Sequence, residues 1–266
     1  MHFQIVQPTG FLKNFIKYYC FMESASYEED VTERVIPTEN IQLMFHYRNP
    51  FVVHRSDNLI KQPQSLISGL SDTFSDVSTN GEAGVVFISF YPAGACHFFH
   101  FPLSDIANQS IDMSDVLGSE IRQIEEMLYN TISIHEKIPV IENFLIKRYS
   151  PIPSHDNLLI QKGIEIIKSN KGQIDASSLS GCLSTSSKTL ERKFSQYLGK
   201  TTKQVIKLIR FQSVLHDFSN NKDRMLTERA YNNGYFDQSH FIHDFKTYSG
   251  YTPKEFVAKY PGFTFE

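Results

Sequence analysis

Cysteine is scarce, with three residues, Cys20, Cys96 and Cys182, far apart in a chain of 266. An odd, dispersed set suits reduced, mostly buried thiols better than a disulfide framework or a zinc site. Long apolar runs are missing too. No stretch approaches the ~18 residues a membrane span needs. The opening MHFQIVQPTG lacks the basic-then-apolar build of a signal peptide. A cytoplasmic protein with no membrane partner is therefore expected. There is no low-complexity tract. A balance of 41% hydrophobic and 21% charged residues suits a globular chain of one large or two ordinary domains. Catalytic signatures are absent as well: no G-x-S-x-G elbow, no G-x-x-x-x-G-K-[ST] loop and no G-x-G-x-x-G after a strand. No nucleophile has a partner that sequence can name, and no cofactor is implied. Glu28-Glu29-Asp30 and Glu125-Glu126 read most simply as solvated charges.

What is present is uneven. The net charge is −3, yet residues 1–154 hold 10 Lys and Arg against 18 Asp and Glu, while residues 155–266 hold 16 against 11. An acidic module is joined to a basic one, and the basic half could sit on phosphates.

The first hundred residues read as short strands at 18–23, 41–47, 51–53, 65–68 and 84–91, rich in β-branched and aromatic side chains. Turn formers at Arg48-Asn49-Pro50 and Ser78-Thr79-Asn80-Gly81 separate them. Ile41, Leu43, Phe45 and Tyr47 alternate with Gln42, Met44 and His46, as in a sheet with one buried face. The pattern predicts an α+β chain that opens with a β-rich sandwich or barrel. After Pro102 the period changes. Residues 119–130 carry Ile121, Ile124 and Leu128 on one stripe, and 135–149 carry Ile138, Ile141 and Leu145. These two trailing helices would cover the β domain or pair with a second copy of it. Pro151-Ile152-Pro153-Ser154 is the expected boundary, dividing the chain into 1–150 and 155–266. Beyond it no strand pattern appears. Residues 157–170 form a helix with Ile160, Ile164 and Ile167 on one stripe, closed by Gly172.

Residues 226–256, LTERAYNNGYFDQSHFIHDFKTYSGYTPKEF, hold the strongest signal. They predict a helix, a tight turn and a second helix. Ala230 is small enough for a close crossing, Gly234 can take a positive φ, and Asp237 can cap the second helix. Phe241, Phe245 and Tyr248 form a buried stripe. Gln238, Ser239, Ile242, His243 and Lys246 remain for the other face, the build of a DNA recognition helix. Residues 179–194, LSGCLSTSSKTLERKF, repeat the scheme. There Ser180 is the crossing residue, Ser186 the N-cap, and Leu190 with Phe194 the buried pair. Gly199 and Gly250 end the two units. Residues 203–218 predict a linker helix of about 16 residues, roughly 24 Å long.

With these residues in view, the C-terminal part resembles the DNA-binding domain of the AraC/XylS family of bacterial transcription regulators. The match runs through Leu226, Glu228, Ala230, Gly234, Tyr235, Asp237, Ser239, Phe241, Phe245, Lys246, Gly250, Thr252, Pro253 and Phe256. The first unit matches through Ser186, Leu190, Arg192, Phe194 and Gly199, and the linker through Arg210. Two positions depart from the family pattern. Ser184 stands at the usual turn glycine, so that turn should be strained or adjusted. His243 replaces the usual arginine, which weakens the expected contact there.

The resemblance implies a sequence-specific regulator whose two recognition helices read successive major-groove segments of double-stranded DNA. Lys188, Glu191 and Arg192 would face the groove in the first unit, and Gln238, Ser239 and His243 in the second. Ser186, Ser187 and Lys246 would meet phosphates. RNA polymerase is a partner by the same resemblance, and a homodimer is compatible with it. The N-terminal half resembles the family's cupin-like sensing domains more loosely. An effector pocket there would draw on Met44, His46, Phe87 and Tyr91, residues that equally suit a filled core. Two other readings compete. His97-x-x-His100, with His46 and His54, invites a cupin metal site and hence an enzyme localised by the helical domain, but the usual H-x-H pair and spaced carboxylate are missing. The helical domain could also be a protein-docking module.

Overall fold

The structure is a computed structural model that describes residues 2–24, 32–55, 58–79, 81–220 and 225–263. Glu28-Glu29-Asp30 and Asn80 lie outside the described residues.

The chain opens with strands β1 (His2–Val6), β2 (Ile16–Ser24), β3 (Thr32–Val35), β4 (Gln42–His46) and β5 (Val52–Arg55). It continues with β6 (Asn58–Lys61), β7 (Ser65–Ser68), β8 (Ser75–Ser78), β9 (Ala83–Phe90) and β10 (Ser110–Asp112). They form two antiparallel sheets: one of six strands in the order β1-β2-β9-β4-β7-β10, the other of four in the order β3-β8-β5-β6. All five segments expected as strands belong to them. β9 is central and apolar on both faces, with Val85, Val86, Ile88 and Phe90 fully buried, as its unbroken apolar run predicts. β1, β3, β6, β8 and β10 escape sequence reading; β6 is exposed along its length and β10 has only three residues.

Helices follow: α1 (Met113–Leu117), α2 (Ser119–Asn130) and α3 (Ile134–Arg148). Ile121, Leu128, Ile141 and Leu145 are fully buried, so the stripes of α2 and α3 cover the β domain within the same chain. Phe144 meets Phe45 of β4 at 6.2 Å, edge to face. Of the two roles expected for these helices, covering is the one the chain fills by itself.

Pro151 and Pro153 lie between α3 and α4 (Ser154–Ser169). Beyond come α5 (Ala176–Cys182), α6 (Ser187–Leu198), α7 (Thr202–Asn220), α8 (Leu226–Asn232), α9 (Gln238–Ser249) and α10 (Pro253–Lys259). The chain is thus a β-rich domain followed by a helical one. At 19 residues α7 is longer than expected and spans about 28 Å. It packs on α9 along its length: Phe211 stacks on Tyr248 at 4.8 Å and Phe218 meets Phe245 at 5.5 Å. Val205, Ile209 and Leu215 are buried as well.

The domains share a core and a set of polar ties. Lys200, 3% exposed, donates to Asp72 Oδ2 and Asn108 Oδ1, both at 2.6 Å, and Gln204 also reaches Asp72. Burial pulls the Lys200 pKa down, opposed by the bond to Asp72. A second tie comes from Arg34 on β3. Its guanidinium pairs with Asp76 of β8 through two bonds of 2.7 Å and lies between the rings of Phe74 and Tyr251 at 3.9 and 4.3 Å. It also reaches the carbonyl of Ser249, the last residue of α9, at 3.4 Å. Gly250 makes this approach feasible. It takes φ +74°, and a Cβ there would stand 2.3 Å from Arg34 Nη1. Hydrogen bonds from Arg34 hold the Asp76 carboxyl below the usual carboxylate range. Their stabilising effect is therefore present at neutral pH and fades as pH falls through that depressed value.

Candidate nucleic-acid interface

Each helix-turn-helix unit is assembled as its local chemistry dictates. In the first, Ser186 caps α6 by accepting from Thr189 N at 3.1 Å, and in the second Asp237 caps α9 by accepting from His240 N at 2.7 Å. The crossing residues Ser180 and Ala230 are 5% and 1% exposed. Leu190, Phe194, Phe241 and Phe245 are fully buried, and Tyr248 nearly so. These stripes fix which face of each recognition helix is left outward. Lys193 and Tyr197 both donate to buried Asp156, tying α6 to α4, and the Tyr197 bond is 2.7 Å.

The turn of the first unit is strained where the missing glycine predicts it. Ser184 sits at φ +50°, while Gly234 takes φ +73° at the matching place in the second. A side chain in this left-handed region costs about 1–2 kcal/mol. The fold keeps the turn and bears that cost.

Lys188 and Arg192 stand exposed on α6, and Gln238, Ser239, His243 and Lys246 stand exposed on α9. The other three DNA-facing candidates are partly engaged. Ser186 is occupied as the cap, also donating to Thr189 Oγ1 at 2.9 Å. Ser187 shares a hydrogen bond with Ser180 across the α5–α6 crossing at 3.0 Å. One oxygen of Glu191 accepts from Thr202 N at 3.1 Å, which caps the start of α7. Only the fold could reveal that role, because Thr202 lies 11 residues away.

Sequence reasoning missed Asp244. It is 6% exposed on α9, with His240, Lys207 and His243 gathered 3.5 to 3.7 Å from its oxygens. It also missed Arg229, 2% exposed on α8. The alternation of charges along α8 and α9 held no mark that these two are buried.

The effector candidates divide. Met44 and Phe87 line a cavity of about 280 Å³ between the two sheets, together with Met22, Phe51, Val53 and Val77. His46 packs behind it, 1% exposed, bonded to Gln62 at 3.0 Å and 4.9 Å from Phe51. Burial pushes its pKa down to about 4, so it is neutral at physiological pH. Tyr91 lies elsewhere, in an open cleft between the 3₁₀ turn at Gly94–His97 and α4. The four histidines considered for a metal are scattered. His97 packs between Phe15 and Tyr149, His100 is exposed, and His54 bonds Ser78 at 2.8 Å. Among the described residues no three His, Cys, Asp or Glu side chains are grouped to hold an ion.

Two helix-turn-helix units on one shared helix, each with an outward polar face, define a double helix-turn-helix domain. Residues 179–259 match the family described as a helix-turn-helix domain. Residues 4–112 match a family described as a domain of unknown function. Among solved structures, the chain is similar to ToxT from Vibrio cholerae, at 14% identity and a TM-score of 0.47, over 90% of this chain and 98% of that one. It is similar to a DNA-binding transcriptional dual regulator from Escherichia coli K-12, at 21% identity and a TM-score of 0.35, over 41% and 99%. It is also similar to the C-terminal domain of AraT, a response regulator from Geobacillus stearothermophilus, at 18% identity and a TM-score of 0.37, over 44% and 92%. No curated protein matches the chain.

Proposed function

We propose that the protein regulates transcription by docking α6 and α9 in successive major-groove segments on one face of a duplex. The observation that carries this reading is the pair of exposed polar faces set on a single packed helix of about 28 Å. Lys188 or Arg192 suits guanine O6 and N7, Gln238 suits adenine, and Ser239 and His243 complete the second face. Ser186, Ser187 and Lys246 serve the phosphates, and the free oxygen of Glu191 can accept from cytosine N4. The excess of 16 basic over 11 acidic residues in 155–266 supports it. We read the protein as a cytoplasmic binding protein, not an enzyme, divided at 150–155, with RNA polymerase as a further partner and room for a homodimer. No described helix is long and apolar enough to cross a membrane. Gel shifts test the proposal. A duplex selected from a random pool should bind far more tightly than random DNA, and affinity should fall about 100-fold between 50 and 200 mM salt if four phosphates are neutralised. Equal affinity for random DNA would refute sequence-specific regulation.

The intersheet cavity is the place for an apolar effector. Strands β3 and β8 border it with Glu33, Val35, Ser75 and Val77, while the alternate residue Arg34, held by Asp76, reaches the end of α9. Occupancy would thus be felt at the second recognition helix. A ligand that shifts DNA affinity in the wild type should leave Arg34→Ala unresponsive while still raising its melting temperature. An equal response in both proteins would remove Arg34 from the coupling.

A further inference from the structure

Phe236 is the most conspicuous apolar side chain near the DNA-facing surface. It is 88% exposed and immediately precedes Asp237, the N-cap of α9. A hydrophobic residue at that place ordinarily packs on the fourth residue of its helix as a staple, which here is Phe241. That role is already filled. Tyr235 lies 5.2 Å from Phe241, and Phe241 is fully buried. Phe236 is left pointing outward and makes no ring contact among the described residues. The fold therefore does not use it.

Its neighbours indicate what could. Gln238 and Ser239 are the first two residues of α9, both exposed, so Phe236 stands at the end of the helix that leads into the groove. A phenyl ring has no donor or acceptor and makes no hydrogen bond to phosphate or base. The major-groove edges carry one apolar group, the C5 methyl of thymine. We propose that Phe236 is a specificity-determining residue that packs on a thymine methyl beside the bases reached by Gln238 and Ser239. This rests on the DNA-binding reading above and adds to it a preferred base at one position. Burying one methyl against the ring is worth about fourfold in affinity.

The test uses the full chain and the duplex it selects from a random pool, with each thymine replaced singly by deoxyuridine, which lacks only the methyl. The wild type should lose about fourfold at one thymine in the segment covered by α9. Phe236→Ser should bind the parent duplex more weakly and show no thymine–deoxyuridine difference at that position. Ile132→Ser removes a 93% exposed side chain on the β domain side and should retain the wild-type difference. Deoxyuridine tolerated at every position by the wild type, or a difference that persists in Phe236→Ser, would overturn the assignment while leaving DNA binding intact. Failure to select any duplex would overturn the parent reading and this one together. Loss of transcriptional regulation by Phe236→Ser with unchanged DNA affinity would give the ring to a protein partner and also overturn the assignment.

Discussion

Arg229→Ala is expected to destabilise the protein by about 3–5 kcal/mol, enough to threaten the folded state of the helical domain. Arg229 is 2% exposed, the largest of the fully buried side chains. From α8 its Nη1 donates to the carbonyl and to the carboxylate of Asp217 on α7, at 2.7 and 2.8 Å. Its guanidinium lies 4.4 Å from the centre of the Phe218 ring. The backbone carbonyl of Arg229 in turn accepts from the buried amide of Asn233 at 2.9 Å, at the turn toward α9. Truncation would remove a buried, charge-assisted bond from the Asp217 carboxylate and leave a void behind Phe218, and these two costs act in the same direction. The second helix-turn-helix unit should loosen from α7 before the first does. Equilibrium urea unfolding of the full chain measures this, and a loss under about 1 kcal/mol would show that solvent or a neighbouring group compensates Asp217.

Arg192→Ala is expected to weaken binding to the selected duplex by about 1–3 kcal/mol, a factor of roughly 5 to 150, and to relax the preference at one base position. Arg192 is exposed on α6, one residue after Glu191, whose carboxylate is partly spent on Thr202 N, and four after Lys188. Its own guanidinium makes no hydrogen bond or ion pair in the described fold, so the fold does not need it and stability should stay within about 0.5 kcal/mol. A binding loss spread evenly over all sequences would assign Arg192 to a phosphate. No loss at all would favour a protein-docking role for the helical domain. Arg229 and Arg192 therefore form a contrast between an arginine that holds the domain together and one that it presents.

That contrast marks where sequence reading works. Residues whose role is set by local periodicity were legible: the caps Ser186 and Asp237, the crossing residues Ser180 and Ala230, and the stripe Phe241, Phe245 and Tyr248. The strain at Ser184 was legible too, because the left-handed region disfavours any side chain with a Cβ. Partners brought together by tertiary packing were not. Arg229 finds Asp217 12 residues away, Lys200 finds Asp72 across the domain seam, and Glu191 turns to Thr202. The pocket was half legible for the same reason. Met44 and Phe87 are neighbours across the β4–β9 pair, register partners in the sheet, whereas Tyr91 falls just past the end of β9 and turns to α4.

The central claim is that two reading heads are held at a fixed separation by α7. Inserting about 5 bp, half a turn, between the two protected segments of the selected duplex tests it most directly. Both segments then remain intact but face opposite sides of the helix axis. Binding should drop to the level of random DNA, and inserting a full turn of about 10 bp should not rescue it, because a helix of about 28 Å cannot stretch to the second site. Undiminished affinity after the half-turn insertion would mean that the units read DNA independently, and the account of α7 as a rigid spacer would be wrong.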